Sequence, residues 1–247
     1  MMTELVRGRM PRTILFDLEC SSLKGPFGTT FCMGYQELNE AKPHVISLLD
    51  FPAVFKADPT NDRALVKRCA EILGEADYLI TWYGIGFDER FLATRLLYYK
   101  LPPLPPILDI DGWVTAKFRL AMHSNRLQAM QEFLELKSKK TAIDYTAWRR
   151  APSGHIPSIR KVIHHCRCDI DVLLETYLRL RPYLKDAPNM AILTGKKGQC
   201  GRCLSPKLQR RGLMVTRSRA YQRYQCQACG AWSRGSQVTV QACAPTP

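Results

Sequence analysis

Four acids and two histidines in this chain have types and spacings suited to chemistry. Asp17 and Glu19 lie two apart in TILFDLEC (13–20), a stretch that otherwise reads as core. Residues two apart on a strand share a face, so these carboxylates stand side by side, about 6–7 Å apart at the backbone. They repel each other unless a proton or a cation lies between them. Asp88, in GIGFDERFL (84–92), opens a helix just after a buried strand, and Asp169, in HHCRCDIDVLLETYLRL (164–180), lies on a late helix. Four acids meeting at one sheet edge become stable around two hard divalent cations, Mg²⁺ or Mn²⁺, which take oxygen ligands. His165, four residues before Asp169, shares its helix face. His164, five before, is about 140° round the helix and reaches in only from a loop or a helix start. A histidine in reach can orient or deprotonate a water, and both are candidates.

A second set of ligands lies near the end of the chain. CGRC (200–203) and CQAC (226–229) are two C-x-x-C pairs. Cys200, Cys203, Cys226 and Cys229 suit one structural Zn²⁺ held by four thiolates. The stretch around them has too few large apolar groups for a core of its own, so a metal staple is needed. The residues between the pairs read as β-hairpin material, with Gly212 near a turn. The other six cysteines have no framework spacing and read as mostly reduced core thiols.

Elements must bring the acids together. Residues 13–20, 30–37 and 44–50 read as consecutive strands. A helical period over 61–76 has Asn61 or Asp62 as its N-cap. A buried strand (77–84), a helix (86–100), the breaker LPPLPP (101–106) and a short strand at ILDI follow. Helices near 111–121 and 124–136, an irregular stretch through Gly154 and a helix over 158–181 complete the first part. This order implies an α/β fold, a mixed sheet flanked by helices, followed by a small β domain. RPYLKDAPN (181–189) reads as the boundary.

The order D-x-E, then G-x-x-F-D-x-x-F-L, then a late H-x-x-x-D resembles the DEDD (DnaQ-like) 3′–5′ exonucleases of RNase H-like fold, in particular the bacterial and phage members called YprB-like. ILFDLE, YGIGFDERFL and HHCRCDIDVL carry the resemblance. It implies an RNase H-like exonuclease domain over 12–185 and a two-metal hydrolysis of phosphodiesters, with Asp17, Glu19, Asp88 and Asp169 as metal ligands. His165 stands where many members carry Tyr, and His164 at the spacing of the His-type members. The cysteine pairs resemble a zinc ribbon, over 196–236, and the combination resembles a set of phage-type proteins.

Charge points to the same partner. The net charge is +14, and from Asn189 onward there are ten Lys or Arg and no Asp or Glu. Such a segment suits a polyanion, and nucleic acid, as DNA, is the expected one. Arg210, Arg211, Arg219 and Arg223, with Tyr221, Tyr224 and Trp232 interspersed, suit phosphate contacts with base stacking. Trp82, Tyr83 and Phe87 flank the second acid and can stack on a terminal base, Phe87 being equally suited to the core. Lys139 and Lys140 in KSKKT can meet a phosphate backbone. With no run of 18 apolar residues and no signal-peptide pattern at the N-terminus, a cytoplasmic protein without a membrane partner is expected. A metal-dependent 3′–5′ exonuclease on DNA leads, working alone or in a replication or recombination complex. A structure-specific endonuclease or RNA-trimming enzyme, and a non-catalytic nucleic-acid-binding adaptor, are the alternatives.

Overall fold

The protein is described here from a computed structural model, which covers residues 8–184 and 187–238. The chain divides into two compact units. One runs from Pro11 to Leu180; the other joins the residues before Pro11 to those from Arg181 onward.

The first unit is built on β1 (Thr13–Cys20), β2 (Thr30–Glu37) and β3 (His44–Ser47), an antiparallel run extended by β4 (Tyr78–Thr81) and β5 (Leu108–Asp111) in the order β3-β2-β1-β4-β5. β4 and β5 are parallel to β1, so the connections between them must cross over a face of the sheet. Helix α1 (Pro52–Ala57) and helix α2 (Arg63–Leu73) lead into β4, and α3 (Asp88–Tyr98) leads from β4 to β5. After β5 come α4 (Gly112–Arg119), α5 (Leu127–Phe133), α6 (Tyr145–Arg150) and the long α7 (Ile156–Leu180).

The apolar residues of β1 supply the centre of the core, with Ile14, Phe16 and Leu18 all buried among Phe31, Met33, Leu65, Leu92 and Val162. β1 pairs with β2 along its length, placing Asp17 opposite Gly34 and Glu19 opposite Cys32. Its pairing with β4 covers only Thr13 to Leu15. The carboxyl-terminal half of β1 therefore has an open edge on that side, where β4 ends and the chain turns away.

Several elements differ from the sequence expectation. The third strand stops at Ser47, because Ser47 and Asp50 form a reciprocal cap on a short 3-10 turn. Asp62 stands at the N-cap position of α2 but makes no cap. Its carboxylate turns inward, bound by Arg95, the Tyr99 hydroxyl and the Thr30 amide. The stretch expected to be irregular contains α6, capped by Asp144.

The second unit carries β6 (Leu208–Val215), β7 (Ala220–Cys226) and β8 (Trp232–Val238), an antiparallel sheet in that order. Gly212 is not at a turn. It has φ +74° within β6, where the register shifts between Arg210 and Leu213, and the turn falls at Thr216–Arg219. Cys243 lies outside the described residues.

Candidate metal centres

The side chains of Asp17 and Glu19 lie on the β1 face that meets α7. Opposite Asp17, Gly34 leaves no side chain in the way: a Cβ there would come within 2.7 Å of Ile170 and 3.0 Å of the Cys166 sulfur. The Gly34 amide donates to that sulfur at 3.0 Å. This close approach lays α7 against the sheet and sets Asp169 and His165 over the two strand acids. Asp88 arrives from the other side. The Leu18 amide, on the β1 edge that β4 leaves open, donates to Asp88 Oδ1 at 3.0 Å, fixing the start of α3 between the two strand acids.

Ligand atoms of Glu19, His165 and Asp169 lie within 4.8 Å of one another. His165 Nε2 is 3.6 Å from Glu19 Oε1 and 3.7 Å from Asp169 Oδ2. Its Nδ1 pairs with Thr141 Oγ1 at 3.0 Å, which holds the ring with Nε2 facing the acids. Burial, with the charges of Asp88, Glu19 and Asp169 added, holds the Asp17 carboxyl well above the usual carboxylate range. Burial first, then Asp169, pushes Glu19 up to about 8. Asp88 is pushed up to about 7 by burial, against the pull of the Leu18 amide. Burial lowers His165 below its ordinary value, so its ring is neutral at neutral pH.

Lys140 lies inside the cluster: its Nζ donates to Asp169 Oδ2, and its charge lowers the proton affinity of Asp17 and Glu19. The loop that delivers it is pinned twice: Gln131 accepts the Lys140 amide, and Glu175 on α7 accepts from Lys137 and from Ser138. Lys139, its neighbour, is exposed. His164 does not join the cluster. α7 is continuous through it, so its side chain points outward, exposed, with Nε2 3.8 Å from the Cys168 sulfur.

The acids fit a divalent cation. The carboxylates supply oxygen donors alone, and Asp169, 4% exposed, has a buried Oδ1 with no hydrogen-bond partner among the described residues. A buried carboxylate oxygen left unpaired is costly, and a cation ligated there removes that cost.

Beside Asp17 and Lys140 opens a cleft of about 490 Å³ walled by Trp82, Tyr83 and Trp113. Asp111 Oδ1 accepts from both the Tyr83 and the Trp113 amides, at 2.9 and 2.8 Å, and their rings lie 4.7 Å apart. This bracket holds Tyr83 at φ +72°, a region a bulky residue rarely adopts. Phe87 is half-buried, with its ring 5.7 Å from Phe91. Sequence reasoning missed Trp113 and Gly34. A glycine inside a strand pattern is itself a signal of close backbone approach; Trp113 carried no local signal.

In the second unit the four cysteine sulfurs also lie within 4.8 Å of one another. Cys200–Cys229 and Cys203–Cys226 are each separated by 3.7 Å. Four sulfurs at ~2.3 Å from one zinc stand about 3.8 Å apart, whereas a disulfide is ~2.05 Å. The two pairs sit on matching turns. Leu204 and Gly230 both have left-handed backbones, and their amides return to the carbonyls of Cys200 and Cys226. The sheet also carries Arg210, bound to Gln222 at 2.7 Å, exposed Arg211 and Arg219, and Tyr221, Arg223 and Tyr224 along β7. No helix among the described residues is long and apolar enough to cross a membrane.

Comparisons with known proteins agree with this architecture. A family model described as RNase_H superfamily matches residues 14–180. Among solved structures, the family B DNA polymerase from the hyperthermophilic archaeon Pyrobaculum calidifontis is similar in fold, with a TM-score of 0.52 and 14% identity. The similarity covers 76% of this chain and 27% of that chain, so this chain spans only about a quarter of the polymerase. Among curated proteins no match was found. The small sheet with its four thiols fits a zinc ribbon. The mixed five-stranded sheet flanked by helices is RNase H-like, and by a match that spans most of its length the chain belongs to the RNase_H superfamily.

Proposed function

We propose that this chain is a divalent-metal-dependent nuclease acting as a 3′–5′ exonuclease on DNA, with the nuclease domain over 12–185 and a nucleic-acid-binding zinc ribbon over 196–236. The observation that carries the reading is the convergence of Asp17, Glu19, Asp88 and Asp169, close enough to raise the Asp17 carboxyl, together with the buried, unpartnered Oδ1 of Asp169. Superfamily membership supports it, and the fold shared with a DNA polymerase favours DNA.

Asp17, Glu19, Asp88 and Asp169 would hold two Mg²⁺ or Mn²⁺ ions. When bound, such ions polarise a phosphate and make a water nucleophilic near neutral pH. His165 takes the part of general base. Its ring is neutral, and Nε2 faces the cluster with Thr141 behind Nδ1, so it can accept the proton of an attacking water. Lys140 keeps a positive charge beside the acids, able to draw in a phosphate. The cleft walled by Trp82, Tyr83 and Trp113 offers an apolar, aromatic place for a base next to Asp17. Cys200, Cys203, Cys226 and Cys229 would hold one structural Zn²⁺.

The test uses strands labelled at either end, single-stranded and duplex, DNA and RNA, with Mg²⁺ supplied or withheld. Mg²⁺-dependent shortening from the 3′ end of DNA is expected. Asp17→Ala and Asp169→Ala should each abolish cleavage and leave DNA binding largely intact. Internal cuts would replace the exonuclease reading with an endonuclease, preference for RNA would replace it with a trimming enzyme, and retarded bands without cleavage would leave a binding adaptor. Retained turnover in both variants would remove the assigned site.

A further inference from the structure

The β7–β8 sheet sets two like charges against each other. Arg223 and Arg234 stand directly opposite each other in the register. Like charges in that position repel and weaken a sheet. No Asp or Glu occurs from Asn189 to the end of the sequence to relieve them.

Each guanidinium lies over a ring, and Arg223 Nε also donates to the Arg211 carbonyl at 3.0 Å. Arg223 is 4.8 Å from the ring centre of Trp232, and Arg234 is 4.7 Å from that of Tyr221. Trp232 pairs with Gln225 on one side of the two arginines, and Tyr221 lies on the other side along β7. One face of the sheet thus presents two cations in the middle and an aromatic ring at each end. Trp232 remains 48% exposed, and both arginines are exposed. Tyr224 belongs to the opposite face, packed against Gly235.

The geometry points to this Tyr221–Arg234–Arg223–Trp232 ladder as a binding surface for single-stranded nucleic acid. The inference rests on the proposed nucleic-acid substrate and specifies which form of it the ribbon holds. Phosphates relieve the opposed arginines, which explains the cations. Phosphates alone would not call for an exposed Trp232 ring and a half-buried Tyr221 ring beside them. Rings and guanidinium planes stack on bases that are unpaired and accessible; in a duplex those faces are already stacked inside the helix. A surface that combines both at this spacing discriminates in favour of a single strand.

The experiment is fluorescence anisotropy of labelled oligo(dT) and of a duplex of equal length, in magnesium-free buffer without chelator, using the full zinc-loaded chain. Replacing both rings (Tyr221→Ala with Trp232→Ala) is expected to weaken oligo(dT) binding at least about tenfold, with the salt dependence unchanged. Duplex binding should stay within about twofold of wild type, by the same stacking argument. Tyr221→Phe with Trp232→Phe should restore oligo(dT) binding. Arg223→Gln with Arg234→Gln should reduce the slope of log affinity against log salt by about 1.4, two phosphates' worth for a single strand. Zinc content reports whether the ribbon is intact. If the alanine pair loses zinc, Tyr221→Leu with Trp232→Leu keeps apolar bulk and takes its place. Unchanged oligo(dT) binding in the ring variants, or equal losses on duplex and single strand, would overturn the ladder. Cleavage by the wild type is scored separately: its absence counts against the nuclease reading and leaves this binding result to stand or fall by itself.

Discussion

Neighbouring residues on a helix point about 100° apart, so only one of two adjacent histidines can serve a site fixed on one side of α7. That side is set by Asp169 and the β1 acids, and His165 faces it while His164 lies in solvent. His165→Ala should lower the single-turnover cleavage rate by about 10²–10⁴, the usual worth of a positioned general base. His164→Ala should leave it within about twofold, since that ring reaches no reacting group. The reverse pattern, measured at saturating metal, would move the base to His164. The four-residue spacing made His165 legible in the sequence, and the D-x-E and F-D patterns did the same for the acids. Lys140 was not legible. KSKKT offers three lysines in five residues, and which one turns inward is decided by Gln131 on α5 and Glu175 on α7, outside the motif.

At the scale of elements, the acids meet because β2 lets α7 come close. Gly34 is the register partner of Asp17 and the point where the Cys166 sulfur and Ile170 press on the sheet. A methyl there must displace α7, and with it Asp169 and His165. Overpacking of this kind costs about 1–3 kcal/mol, which at this chain length lowers Tm by about 2–4 °C per kcal/mol. Gly34→Ala should therefore lower the melting temperature by several degrees and reduce the cleavage rate more than Gly74→Ala, a change at the end of α2. Equal effects on rate would mean that α7 seating does not govern the site. The strands and the long amphipathic helices were readable from period and punctuation. The short α1 and α6 were not: six residues hold too little pattern, and their place is fixed by packing. The small sheet was readable as hairpins, yet Gly212 serves a bulge where a turn was expected, because either use needs the same left-handed backbone.

Over the whole molecule, charge is sorted along the sequence. The acids lie before Asn189, several of them crowded and buried on the β1 edge, and ten of the 36 basic residues lie beyond it. Crowding has a consequence for stability. Glu19 and Asp88 hold their protons up to about 8 and about 7 in the folded chain, from ordinary values of 4.5 and 3.8. Asp17 is raised as well, and Asp109, buried near Glu89 and Asp111, is pushed up to about 8. Above pH ~4 the folded chain therefore binds more protons than the unfolded one, and stability falls as pH rises. The contribution is complete below the unfolded values and is lost progressively from there until pH has passed about 7 for Asp88 and about 8 for Glu19. His165, lowered by burial, acts in the opposite sense only below its ordinary value of about 6.5, so the window to examine lies above that. Without added divalent cation, Tm should drop between about pH 7 and pH 8.5, by about 2–4 °C for each kcal/mol lost. A cation bound among the carboxylates takes over the work of the protons, so millimolar Mg²⁺ should raise Tm more at the upper end of that window than at the lower. Asp88→Asn should flatten both dependences. A melting temperature that holds level or rises with pH in metal-free buffer would mean that the acids are not crowded enough to need a cation, and the proposed metal chemistry would lose its physical basis.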